Sequence, residues 1–154
     1  MKTGHADKAR ELFNDGYNCS QAVFGAFAED AGLDMKTALR FASPFGGGMG
    51  RMREVCGGVS GMFMVLGLFY GYDEPDDAQA KKELYSYVHT LADKFKESEG
   101  SIICRELLAG VKTQPGPNPE DRNTADYKKR QCPEIVAYAS QLVEDFLNEH
   151  GKLE

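Results

Sequence analysis

The stretch FGGGMGRMREVCGGVSG, residues 45–61, sets one cysteine, Cys56, between two glycine clusters and leads into the apolar run VSGMFMVLGLFY of residues 59–70. Seven of the seventeen residues are glycine, which helices and strands tolerate poorly, so positive φ or close approach of bare backbone is wanted there. A thiol held against backbone amides can be kept as a thiolate, the form that attacks disulfides and binds metals. The apolar run is twelve residues long, well short of the roughly 20 that a membrane span needs, and reads as a buried core helix.

Outward from this segment the helical period dominates. No run alternates polar and apolar residues between Asn-Gly or Asp-Gly turns, so no sheet is expected. The fold class is all-α: a single-domain bundle of about six or seven helices over residues 1–154, with a long Pro-rich loop between the last two. A first helix spans about Ala6 to Asn14 and stops at Gly16. Asn18 with Gln21 forms a capping box for a second, striped by Ala22, Val23, Ala26 and Phe27 and ending by Gly32. Asp34 caps Met35 to Ala42, which Ser43-Pro44 halts. From about Gly50 or Arg51 the pattern is helical through Phe69. Gly57 with Gly61, and Gly67 with Gly71, stand four apart on one face, which fits either an internal helix or a subunit interface of a homo-oligomer.

Pro75-Asp76-Asp77 opens a long amphipathic helix to about Glu99, with Leu84, Tyr87, Val88, Leu91 and Phe95 inward. Ser101 caps a short helix from Ile102 to Leu108. Cys132-Pro133 starts the last helix, which runs to His150 with Ile135, Val136, Ala139, Val143 and Phe146 among its inward positions. The intervening segment, about 110–131, holds three of the six prolines and reads as a flap or flexible loop.

With 18 basic and 24 acidic residues the net charge is -6, which repels nucleic acid and anionic lipid. The N-terminal residues MKTGHADKARELF lack the apolar core and cleavage site of a secretory signal, and a cytoplasmic location is expected. Four cysteines, Cys19, Cys56, Cys104 and Cys132, are all distant in sequence, so any site they share is assembled by the fold. In a reducing compartment they point to catalysis or metal binding rather than structural disulfides.

Three of the four fall at expected helix starts and Cys56 lies in a glycine-rich helical entry. Free amides and the helix dipole there favour a thiolate and lower its pKa. Arg51, Arg53, Arg105, Lys128, Lys129 and Arg130 add positive charge nearby in sequence. A buried cysteine is otherwise just a small hydrophobe.

The order Cys19, then Cys56-Gly57-Gly58-Val59-Ser60-Gly61, then Cys104, then Cys132-Pro133 resembles the C_GCAxxG_C_C family of redox-active proteins, and Gly58 stands where the motif has alanine. The resemblance covers nearly the whole chain and implies that Cys19, Cys56, Cys104 and Cys132 are the functional set. Two chemistries fit. In one, two thiols form a disulfide reversibly with Cys56 attacking, which makes the protein a thiol–disulfide oxidoreductase or redox sensor and requires no cofactor. In the other, all four cysteines ligate zinc or an iron-sulfur cluster. Gly57, Gly58 and Gly61 would leave room for the thiolate or for what it binds. Either reading calls for a redox partner or a small-molecule substrate.

Other signals are weaker. FGGGMG lacks the lysine and preceding strand of a phosphate cradle, and a tight turn is expected instead. His5, His89 and His150 read as surface residues, Glu54 as a first-turn acid rather than a proton relay, and Lys128-Lys129-Arg130 as a solvated run. Met52, Met62, Met64, Phe63 and Phe69 read as core filling.

Overall fold

The computed structural model describes residues 2–113 and 116–153; Gln114 and Pro115, within the Pro-rich segment, lie outside the described residues. Six helices of eight or more residues carry the fold: α1 (His5–Asn14), α2 (Cys19–Phe27), α3 (Met35–Ala42), α4 (Gly57–Tyr70), α5 (Ala78–Glu99) and α6 (Cys132–Glu149). The chain is all-α, and among the described residues extended pairing is confined to an isolated antiparallel bridge between Val55 and Ile103.

Helix α2 is the centre. Every residue from Ala22 to Ala28 is buried, and the missing side chain at Gly25 lets Leu12 and Leu39 approach closely. It packs against α1, α3, α4 and α6. Its start is a complete capping box: the Asn18 side chain accepts from the Gln21 amide at 2.9 Å, and the Asn18 amide donates to the Gln21 side chain at 3.0 Å. Met35–Ala42 is capped by Asp34 as expected, and α5 ends on left-handed Gly100. The stripe on α5 is shallower than its periodicity suggests, since only Leu91 and Phe95 are fully buried.

The largest departure lies in residues 46–56. The sequence pattern places a helix from about Gly50, yet α4 begins only at Gly57. Gly47, Gly48, Met49, Gly50 and Arg51 all have positive φ, between 59° and 72°, and Arg53 follows at 59°. This is a left-handed turn. Apolar periodicity could not reveal it, because side chains with a Cβ disfavour this conformation by about 1–2 kcal/mol each. The turn is held by the Arg53 amide donating to the Gly47 carbonyl at 3.2 Å and the Glu54 amide donating to the Gly48 carbonyl at 2.9 Å.

Only half of the four-spaced glycine face serves close packing. A Cβ on Gly61 would lie 2.9 Å from Val23 Cβ and 3.0 Å from the Ser20 carbonyl oxygen, so α4 meets α2 backbone to side chain there. Gly67 faces open space and Gly71 lies beyond the helix end.

Two smaller expectations are also corrected. Met52 is 66% exposed rather than in the core, because the left-handed turn carries it outward. His5 is buried rather than on the surface: its Nδ1 lies 2.7 Å from Glu144 of α6 and its Nε2 lies 2.7 Å from Asp30, while its ring stacks on Phe27 at 4.1 Å. His89 and His150 are exposed.

Candidate functional site

Each cysteine stands at the start of a helix, as its cap or its first residue. Cys19 is the first residue of α2 after the Asn18 cap, Cys132 is the first of α6 and is followed by Pro133, and Cys104 is the first of the four-residue helix Cys104–Leu107. Cys56 is the cap of α4 rather than a residue within it. The Val55–Ile103 bridge brings two of these points together. The Cys56 amide donates to the Ile102 carbonyl at 2.8 Å, and the Cys104 amide donates to the Glu54 carbonyl at 2.6 Å.

All four cysteines line one partly enclosed cavity of about 80 Å³. All four are free thiols. Bare backbone is essential to their approach. A Cβ on Gly57 would sit 2.3 Å from Cys19 Sγ, and one on Gly48 would sit 2.6 Å from Cys104 Cβ. Gly57 lines the cavity, whereas Gly58 and Gly61 do not. A Cβ on Gly58 would lie 3.7 Å from Cys56 Sγ and 3.6 Å from Ile135, an ordinary packing distance. A negative charge on Cys19 would oppose ionisation of each of Cys56, Cys104 and Cys132, with which it lines the cavity. Among the described residues, no group of three or more His, Cys, Asp and Glu is set as a metal-holding cluster.

The expected lowering of the thiol pKa values is overturned for three of the four. Burial raises Cys56 most, and the neighbouring Cys19 adds to the rise. The Val59 and Gly58 amides directed at its sulfur work the other way and lose. Cys132 is pushed up to about 12 by burial and by Cys19, against the charge of Arg130. Cys104 is also raised by burial, opposed by the guanidinium of Arg53, which donates to Cys104 Sγ at 3.7 Å. The physical reason is that desolvation of a thiolate in a small cavity outweighs the partial charge of a helix terminus.

The cavity wall also holds two of the arginines expected near the cysteines, together with Arg122 and Tyr127, which no sequence signal marked. Arg53 and Arg130 line it and converge with Arg51 on the carboxylate of Glu120, from the Pro-rich segment. The run before Cys132 is thus divided: Lys128 and Lys129 are exposed, while the Arg130 side chain is 6% exposed. Burial works to raise Glu120, but the hydrogen bond from Arg51 and the charges of all three arginines outweigh it and hold the carboxyl below its ordinary range. Arg122 anchors the same segment, donating to the carbonyls of Phe13 at 2.6 Å and Tyr17 at 2.7 Å and stacking over the Phe13 ring. Thr124 then caps the short helix Ala125–Lys128, which presents Tyr127 to the cavity. No local signal marks Glu120, since two of its three partners, Arg51 and Arg53, lie 69 and 67 residues away in the left-handed turn, and the third, Arg130, lies beyond the short helix Ala125–Lys128. Glu54 and Arg105 pair with each other at 3.1 Å, both more than half exposed.

The family described as Putative redox-active protein (C_GCAxxG_C_C) matches residues 17–146. The chain belongs to the C_GCAxxG_C_C family. No curated protein and no solved structure matches it. The C_GCAxxG_C_C match spans all four cysteines, Glu120 and the three arginines.

Proposed function

We propose that the cavity carries out reversible thiol–disulfide exchange, with Cys104 as the attacking sulfur and Cys19 as the resolving one. The observation that carries this reading is the convergence of four free thiols on one cavity in which a guanidinium donates to Cys104. Cys104 replaces Cys56 as the attacking residue because Cys56 is the more strongly raised of the two and, among the described residues, has no guanidinium donor. A neutral dithiol and a neutral disulfide both suit a desolvated site, and the thiolate need exist only during transfer, beside Arg53.

The Cys104 thiol loses its proton as its sulfur attacks one sulfur of a substrate disulfide. The substrate S–S bond breaks, and the departing sulfur takes the electron pair and a proton. The Cys19 thiol then loses its proton, attacks Cys104 Sγ in the mixed disulfide and expels the second substrate sulfur. One substrate disulfide becomes two thiols and two protein thiols become one disulfide, with two electrons and two protons transferred.

Anaerobically prepared protein is titrated for thiols, oxidised, titrated again and reduced. Two thiols should disappear and return, and Cys104→Ser and Cys19→Ser should each abolish the change. Unchanged counts in the unsubstituted protein would remove the dithiol reading. Stoichiometric zinc, or iron with sulfide, would replace it by the four-sulfur ligand set Cys19, Cys56, Cys104 and Cys132.

A further inference from the structure

At the mouth of the thiol cavity Arg53 and Arg130 meet on the carboxylate of Glu120, which Arg51 also contacts, and among the described residues these two guanidinium groups alone exceed the one carboxylate in charge. The side chains of Arg51, Arg53, Arg130 and Glu120 are only 13%, 15%, 6% and 11% exposed. The Nε atoms of Arg53 and Arg130 are buried and have no hydrogen-bond partner among the described residues. The neighbouring thiol of Cys104 does not balance the charge, because burial keeps it protonated. Buried cations in excess of their partners are costly, and planar guanidinium groups are suited to carboxylates. The backbone conformations of Arg51 and Arg53, with φ of 66° and 59°, are disfavoured for any residue with a Cβ. That strain is tolerated where it aims these two side chains.

Outside the thiol cavity lies a cleft of about 510 Å³ lined by Arg51, Arg53, Arg130 and Glu120. Arg53 and Arg130 line both spaces, so a ligand held on the arginines from the cleft stands next to the sulfurs. We infer that the arginines form a carboxylate-binding subsite, which Glu120 occupies as an internal stand-in, and that the substrate is a small disulfide bearing a carboxylate a few bonds from sulfur. This inference rests on the thiol–disulfide reading. Glu120 gives way to the ligand carboxylate, and the exchange then proceeds as written above.

The test uses the full chain and three disulfides of similar length: 3,3′-dithiodipropionate (dianionic), bis(2-hydroxyethyl) disulfide (neutral) and cystamine (dicationic). Loss of protein thiols is followed by alkylation and mass spectrometry. At low salt the dianion should react about tenfold or more faster than the neutral compound, and cystamine slowest, as for charge-assisted recognition. Glu120→Gln should widen the preference and Arg130→Gln should erase it, with helical circular dichroism confirming that each variant is folded.

Independently of the thiols, suberate, a sulfur-free dicarboxylate of the same chain length, should bind by calorimetry, more tightly to Glu120→Gln and not to Arg130→Gln. Equal rates for the dianion and the neutral compound, or no suberate binding to either the unsubstituted protein or Glu120→Gln, would overturn the inference. If the neutral disulfide still oxidises the protein in that case, thiol–disulfide exchange stands. If suberate binds as expected while no disulfide oxidises the thiols, the subsite stands and the exchange reading falls.

Discussion

At the scale of single residues, two effects act on each cysteine and their magnitudes decide the outcome. A helix start lowers a thiol pKa through its free amides and dipole, an effect of about 0.3–1 kcal/mol at an exposed terminus. Burial acts in the opposite direction and by up to several pKa units. The sequence displays the first effect and conceals the second, so Cys56 and Cys132, which look activated, are held as thiols. In folded protein Cys132, raised to about 12, and Cys56 should therefore be alkylated by iodoacetamide far more slowly at pH 8 than a free cysteine. Their rates should climb about tenfold per pH unit past pH 9, since the thiolate fraction rises tenfold per unit below the pKa. Peptide mapping of each cysteine across pH checks this. Full labelling at pH 8 with no further rise would contradict the assignment.

At the scale of elements, α4 meets two neighbours through glycines whose requirements differ. At Gly58 there is room for a methyl group between Ile135 and Ala139, in keeping with the alanine of the motif. Gly58→Ala should be neutral or stabilising by about 0.5–1 kcal/mol. At Gly61 the same methyl group meets Val23 and the Ser20 carbonyl, and Gly61→Ala should cost about 1–3 kcal/mol. Urea unfolding of the two variants measures both.

Helices α1 and α6 and the turn after α2 are joined by His5, which bridges Asp30 and Glu144. Burial would raise Asp30, but hydrogen bonds from His5 and Lys2 outweigh it and hold the carboxyl below its ordinary range. A carboxyl whose folded pKa is depressed contributes stability that is fully present above its unfolded pKa and is lost as pH falls through the folded one. Asp30→Asn should thus lower stability at pH 7, and its deficit against the unsubstituted protein should shrink below about pH 4, as followed by thermal unfolding across pH.

At the scale of the whole molecule, the Pro-rich segment closes the site through two side chains that no periodicity marks. Arg122 reaches back to the connection between α1 and α2, and Glu120 enters the arginine cluster. Arg122→Ala should destabilise the fold by about 2 kcal/mol, in line with loss of charged hydrogen bonds. It should also raise amide exchange across residues 117–131 while leaving α2 and α4 protected. Uniform protection in the variant would show that Arg122 does not hold the segment.

How much was legible follows from the range of the forces involved. The capping box at Asn18 and Gln21, the Asp34 cap, the stop at Gly100 and the start at Cys132 depend on groups within a few residues, so the sequence by itself determined these helix ends and put Cys19 and Cys132 at helix starts, while the helices at Cys56 and Cys104 begin later than their pattern suggests. The left-handed turn escaped because a strained conformation at Arg51 and Arg53 is disfavoured locally and is held by backbone bonds and by partners far along the chain. Gathering four thiols into one cavity, raising three of their pKa values and bringing Glu120 against three arginines were decided only by the tertiary structure. Desolvation and ion pairing depend on what surrounds a group, and around Cys56 those surroundings come from α2, α6 and the residues near Ile102.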